Sequence, residues 1–147
     1  MRISDILSED MVLADCSAGS KRDLLEKLAT FVADKGNLDK NAVFEALWER
    51  ENLGSTGYGN GVAFPHARIN GLDKVVTIFV RLIQPIDFDA LDGQTTDILA
   101  CMISPENSGE DHLRVLAELS RILKNEDICS QIRRAKGAHD IYQALQS

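Results

Sequence analysis

Nine residues between Arg50 and Arg68 combine types that could do chemistry on an anion. Gly54, Gly57, Gly59 and Gly61 fall within eight positions. Ser55 and Thr56 lie between the first two, and Pro65-His66-Ala67-Arg68 follows. Glycine reaches φ > 0 and lets backbone N–H groups approach a ligand with no Cβ in the way. Clustered N–H groups form a concavity for an anion. A histidine at its edge can act as a nucleophile toward phosphorus. Ser55 and Thr56 offer hydroxyl donors, Gly59 and Gly61 backbone donors, and Arg50 and Arg68 charge. Such charge-assisted donors are what a phosphohistidine and its transition state require. The spacing therefore suggests phosphoryl transfer through His66. A plain surface turn would account for the glycines but not for the Pro-His-Ala-Arg after them.

Two familiar phosphate-binding loops fail on context. A P-loop needs a closing Gly-Lys-Ser/Thr and a strand before it, and no lysine follows these glycines. A dinucleotide fingerprint runs strand, glycines, helix. Here a helical pattern enters and an extended segment leaves.

The other titratable residues carry less. His112 falls in the first turn of a predicted helix. It is either a core histidine or a neighbour that holds His66 in place and in the right tautomer. The partial positive charge of a helix N-terminus disfavours an imidazolium there. His139 has no functional context and reads as solvated. Asp87, Asp89 and Asp92 share one loop, where turn chemistry explains them. Three separated histidines and no Cys-x-x-Cys give no metal-ligand spacing. Cys16, Cys101 and Cys129 read as buried or free thiols of a reducing cytoplasm.

The positioning elements follow from periodicity. Ile3–Leu7 suggests a short helical turn, and Met11–Ala14 a strand or extended lead-in. Ser20, with Asp23 three residues on, caps a first helix carrying Leu24, Leu28, Phe31 and Val32, and Gly36 suits its C-cap. Asp39 caps a second helix with Val43 and Leu47, which delivers Arg50 to the glycines. Val62–Phe64 is briefly extended. Pro65 turns Phe64 away from helical geometry and predicts His66 at a bend. Val75–Val80 and Ile98–Ile103 are continuous apolar runs that read as strands buried on both faces, with an acidic loop from Pro85 to Gly93 between them. Ser108 is the expected cap of a third helix carrying Leu113, Leu116, Leu119 and Leu123. Asp127 would cap a fourth through Arg134, and Ala138–Leu145 forms a fifth. Strands alternating with helices indicate an α/β sandwich, a sheet covered on both faces.

The bulk numbers agree. At 147 residues, 44% hydrophobic and 27% charged, the chain suits one soluble domain with a real core. A net charge of −7, with no basic run, argues against nucleic-acid binding. No apolar run approaches a membrane span, and the N-terminus lacks a signal-peptide layout.

The segment Arg50-Glu51, Leu53-Gly54-Ser55-Thr56-Gly57, then Gly59-Asn60-Gly61-Val62-Ala63-Phe64-Pro65-His66 resembles the active-site signature of the IIA domains of the bacterial phosphotransferase system, fructose/mannitol type. Asp111-His112-Leu113, with Leu116-Ala117 and Leu119-Ser120 after it, resembles the family's second histidine region. Pro85–Asp89 and Asp92-Gly93-Gln94 are most similar to the nitrogen-regulatory branch, whereas sugar-type members more often carry a tryptophan near Phe88. Phe64 stands where many members have isoleucine and keeps the position apolar. The resemblance covers the whole chain, residues 1–147, as one type 2 IIA domain.

It implies a three-layer fold, one mixed β-sheet with helices on both faces. It implies that His66 accepts a phosphoryl group, on Nε2, from a phosphocarrier resembling HPr, supported by Arg50 and His112. Arg68 is added from its proximity. No metal, nucleotide or other cofactor is implied, because the donor is itself a phosphohistidine. Leu53, Tyr58, Val62 and Phe64 either dock the partner protein or pack beneath the loop. With no IIB or IIC segment in the sequence, the expectation is a cytoplasmic regulator that binds target proteins according to its phosphorylation state. The rival readings are a sugar-transport IIA serving a separate IIB protein and an anion-binding module without transfer.

Overall fold

The computed structural model describes residues 2–146. Six strands form one open mixed sheet: β1 (Val12–Cys16), β2 (Gly57–Gly59), β3 (Val62–Ala63), β4 (His66–Ile69), β5 (Val76–Ile86) and β6 (Thr96–Pro105). Five α-helices are described: α1 (Lys21–Gly36), α2 (Lys40–Leu53), α3 (Glu110–Lys124), α4 (Glu126–Arg134) and α5 (Ala138–Leu145). Strand order is β1-β5-β6-β3-β2, and β4 also pairs with β6. The β5–β6 and β2–β3 pairs are antiparallel, and the others are parallel.

The two apolar runs form the centre. Along β6, Ile98, Ala100 and Met102 face one core, while Leu99, Cys101 and Ile103 face the other. Side chains alternate across a strand, so a continuous apolar run must be covered on both sides. Helices α1 and α2 cover one face through Leu24, Leu28, Val43 and Leu47. Helices α3, α4 and α5 cover the other through Val115, Leu119, Ile132 and Ile141. The expected three-layer arrangement is the one observed.

Local boundaries differ at several points. Strand β5 runs on to Ile86, so Pro85 and Ile86 belong to a strand and not to the acidic loop. The glycine stretch contains a strand of its own, β2. His66 opens β4 instead of lying at a free bend. Gly36 is the last residue of α1, and Asn37 takes the left-handed C-cap at φ 54°. Ser108 does not cap α3: Gly109 is the N-cap and no side chain caps that end. Asn125, not Asp127, caps α4 by accepting from the Ile128 N–H at 3.1 Å. Ser20 and Asp39 cap α1 and α2 as expected. Asn and Asp are near-equivalent as caps, which is why the α4 boundary slips by two residues.

Candidate functional site

Strands β3 and β4 lie end to end along one side of β6. Val62 and Ala63 pair with Ile98 and Leu99, and His66–Ile69 with Met102–Pro105. Phe64 and Pro65 are the break between them. The chain stays tied across it, because Phe64 N–H donates to Thr56 O at 2.9 Å and Pro65 O accepts from Met102 N–H at 3.1 Å. The Phe64 carbonyl is thereby left outside the ladder, and it lies 2.8 Å from His66 Nδ1. A carbonyl can only accept, so Nδ1 carries the proton and Nε2 keeps its lone pair. The Phe64 ring also packs edge-on against the imidazole, centroids 5.3 Å apart.

His66 lines an open pocket of about 400 Å³. Helix α2 contributes Ala46, Glu49, Arg50 and Leu53, β4 contributes Ala67 and Arg68, and α3 contributes His112. Arg50 is in the last turn of α2, where a cation is favoured, and donates to Gly54 O at 2.9 Å. Arg68 reaches the β6–α3 connection, donating to Ser108 O at 2.5 Å and Glu106 O at 3.4 Å. It thus fixes the segment that leads to His112. His112 is 7% exposed, and its Nδ1 lies 2.7 Å from Ser104 Oγ.

Both imidazoles are shifted toward the neutral form. Burial depresses the His66 pKa below its ordinary value, and the Arg50 guanidinium adds to this. The Phe64 hydrogen bond and Glu51 act in the opposite direction. Burial also lowers that of His112, with Arg68 and His66 contributing. A neutral imidazole beside two guanidiniums can offer a lone pair to an electrophile carried by an anion.

The pocket therefore unites His66, Arg50, His112 and Arg68. It does not include Ser55, Thr56, Gly59 or Gly61. Ser55 Oγ donates to Phe88 O at 2.7 Å. Thr56 is fully buried, and its hydroxyl and N–H both donate to Glu51. Gly59 (φ 99°) packs against Asp92, and Gly61 (φ 81°) against Arg133 and Asp97. These residues shape the loop from below. Of the four apolar residues singled out, Leu53 is 86% and Tyr58 39% exposed. Val62 and Phe64 are core residues, beneath the loop and not on its rim. Leu113, beside His112, is 64% exposed, although its spacing places it on the α3 apolar side. Its place next to the helix N-terminus was the available signal. Two structural residues were also missed. Glu51 is 5% exposed and pairs with Lys21 Nζ at 2.7 Å, and Ser104 is fully buried beneath His112. Glu51 stands in the signature segment without a role of its own there, and Ser104 shows only as a serine ending an apolar strand. His139 is exposed and pairs with Glu9 at 2.7 Å, far in sequence from the pocket.

Fold and pocket together define an α/β protein with an anion-suited histidine pocket at a break in one sheet edge. The chain belongs to the family described as "Phosphoenolpyruvate-dependent sugar phosphotransferase system, EIIA 2", which it matches over residues 5–147. It is 39% identical over 145 residues to a nitrogen regulatory protein of Bradyrhizobium diazoefficiens, covering 99% of this chain and 95% of that one. It is 38% identical over 146 residues to a nitrogen regulatory protein of Pseudomonas aeruginosa, covering 99% and 95%. The crystal structure of nitrogen regulatory protein IIA-Ntr from Neisseria meningitidis superposes with a TM-score of 0.91 at 34% identity, covering 97% of this chain and 98% of that one. No helix among the described residues is long and apolar enough to cross a membrane.

Proposed function

We propose that this chain, as one domain, is a cytoplasmic nitrogen-regulatory IIA component that takes up a phosphoryl group on His66 Nε2 from an HPr-like phosphohistidine carrier. The observation that carries the reading is the His66 Nδ1–Phe64 O hydrogen bond, which leaves Nε2 unprotonated in the pocket. The lone pair of Nε2 attacks phosphorus in line. As the new N–P bond forms, the donor's N–P bond breaks, and its electron pair returns to the donor imidazole. Positive charge develops on the His66 ring, and the Phe64 carbonyl bears on that charge through the Nδ1 proton. Arg50 neutralises equatorial phosphoryl oxygens, with Arg68 and His112 at the pocket wall. Exchange between two imidazoles is nearly balanced, so alignment and charge neutralisation are the work required of the protein.

The nitrogen-regulatory assignment rests on the names of the relatives above. Its output would be altered binding of target proteins, because a phosphoryl group adds charge and bulk in a pocket whose wall includes exposed Leu53. The test is incubation with phosphorylated carrier. Wild type should gain acid-labile phosphate and His66→Ala none. Equal labelling of the two, or no labelling of wild type, removes the reading in favour of an anion-binding module. Onward transfer to a fructose- or mannitol-type IIB protein, at a rate matching uptake, would favour a sugar-transport role.

A further inference from the structure

Ser104 has a role that the transfer reaction as described does not use. It sits on β6, paired with Arg68 of β4, and is fully buried. Among the described residues its hydroxyl has a single hydrogen-bond partner, His112 Nδ1, at 2.7 Å. Two arrangements of that bond are chemically open. If His112 carried its proton on Nδ1, the serine oxygen would accept. The hydroxyl hydrogen would then be buried with no acceptor, a loss comparable to a broken hydrogen bond. If Ser104 donates, Nδ1 accepts and both groups are satisfied. The proton of the neutral ring then resides on Nε2, the nitrogen left to the pocket.

We infer that Ser104 is a positioning residue that holds His112 as the Nε2–H tautomer, so that His112 presents a neutral hydrogen-bond donor to the phosphoryl group while His66 presents a lone pair. This deepens the proposed phosphotransfer and rests on it. The two imidazoles are set in opposite tautomers by different partners. A backbone carbonyl takes the Nδ1 proton of His66, and a buried hydroxyl gives its proton to Nδ1 of His112. The consequence is complementary. A lone pair on both rings would repel phosphoryl oxygens at His112, and a proton on both Nε2 atoms would abolish the nucleophile at His66. A donor that is neutral also adds no charge next to Arg50 and Arg68. It can follow the phosphoryl oxygens through the transition state without raising the cost of ionising a ring at a helix N-terminus.

The test separates the tautomer from the transfer. Nitrogen-15 NMR of the unphosphorylated protein at neutral pH reports which ring nitrogen is protonated. His112 should show a protonated Nε2 and an Nδ1 that accepts a hydrogen bond. His66 should show the reverse, a protonated Nδ1. In Ser104→Ala the His112 Nδ1 resonance should move toward that of an unbonded ring nitrogen, and phosphoryl uptake by His66 should slow by about tenfold. That is below the roughly 10²–10³-fold cost of deleting a donor outright, because the ring remains. Ser104→Thr keeps the hydroxyl and should restore both readouts, which a packing effect of the alanine would not explain. A protonated Nδ1 on His112 in wild type, or an Nδ1 resonance unmoved in Ser104→Ala, overturns the inference. The expected resonances in a protein that gains no phosphate at all overturn the phosphotransfer reading and this use of the proton, while the Ser104–His112 bond stands.

Discussion

Phe64 and His66 are joined by a 2.8 Å hydrogen bond between a backbone carbonyl and a ring two residues on. Phe64 N–H donates to Thr56 O on the β2 side, and the next carbonyl, Pro65 O, accepts from Met102 N–H of β6, so the Phe64 carbonyl faces away from β6. No ladder bond claims it, and it is free to take the Nδ1 proton and leave Nε2 unprotonated.

The first expectation is the site of attachment. Phosphorus-31 and nitrogen-15 NMR of the phosphorylated protein should place the phosphoryl group on Nε2 of His66, with the Nδ1 proton retained. Attachment at Nδ1 would require this hydrogen bond to break and would contradict the geometry.

Arg50 is the next residue to change. Its guanidinium spends one donor on Gly54 O and keeps the rest for the pocket. Arg50→Ala should slow phosphoryl uptake by about 10²-fold, with a stability loss of about 1 kcal/mol or less from the lost carbonyl bond. Arg50→Lys retains the charge without the fork and should fall between the two. Rapid-quench transfer assays beside urea unfolding check this.

The apolar runs, the caps Ser20 and Asp39 and the His66 neighbourhood were legible because each has a local signal. A run such as Ile98–Ile103, short and continuously apolar, reads as a doubly covered strand, and Pro-His after glycines has few structural uses. The glycine loop was legible as a loop but not in its parts. Gly59 and Gly61 serve left-handed φ and close approach to side chains from Asp92, Asp97 and Arg133, contacts set by tertiary packing. Thr56 reads as a phosphate donor until its hydroxyl is seen bound to Glu51. Val62 and Phe64 were open to two readings because a residue's sequence neighbours do not say which face of a short strand is covered.

Gly61 separates a structural glycine from a phosphate cradle. Its φ is 81°, and an added Cβ would lie 2.6 Å from Arg133 Nη2 and 2.9 Å from Asp97 Oδ1. Those two residues form a bidentate pair at 2.9 Å in each arm. Gly61→Ala should cost about 1–3 kcal/mol through backbone strain and displacement of that pair. The rate of uptake by folded protein should change less than twofold. A large rate loss without a stability loss would return Gly61 to the phosphate site.

The pH profile follows from two depressed histidines. His66 and His112 should each titrate below 6.5 in the folded protein, as followed by proton NMR. In the unfolded chain they titrate near 6.5. Between 6.5 and the lower folded values the unfolded state binds more protons, so stability rises with pH there. Their contribution is complete above 6.5 and is lost as pH falls toward the folded values. Phosphoryl uptake, a property of the folded protein, should hold through 6.5 and decline only as pH falls to the lower folded value of His66, where Nε2 becomes protonated. Unfolding midpoints and transfer rates from pH 5 to 8 check both.

Glu51 should couple stability to transfer. Its carboxylate receives Lys21 Nζ at 2.7 Å and both donors of Thr56, pinning the chain between α2 and β2 to helix α1. Removing one member of a buried pair leaves the other charge exposed to the interior, commonly at about 3–5 kcal/mol. Lys21 keeps Asp89 at 3.4 Å as a second, exposed partner, so the low end applies. Glu51→Ala should cost about 3 kcal/mol in urea unfolding. Thr56→Val should cost about 1 kcal/mol, since it removes the hydroxyl and keeps both the shape and the N–H bond. Both changes loosen Gly54, whose carbonyl anchors Arg50. Uptake by the folded protein should therefore slow in proportion to the lost order of the loop, more in Glu51→Ala than in Thr56→Val. The coupling is tested by adding Arg50→Ala. If Glu51 acts through Arg50, Glu51→Ala should slow transfer much less in the Arg50→Ala background than alone, whereas independent effects would multiply.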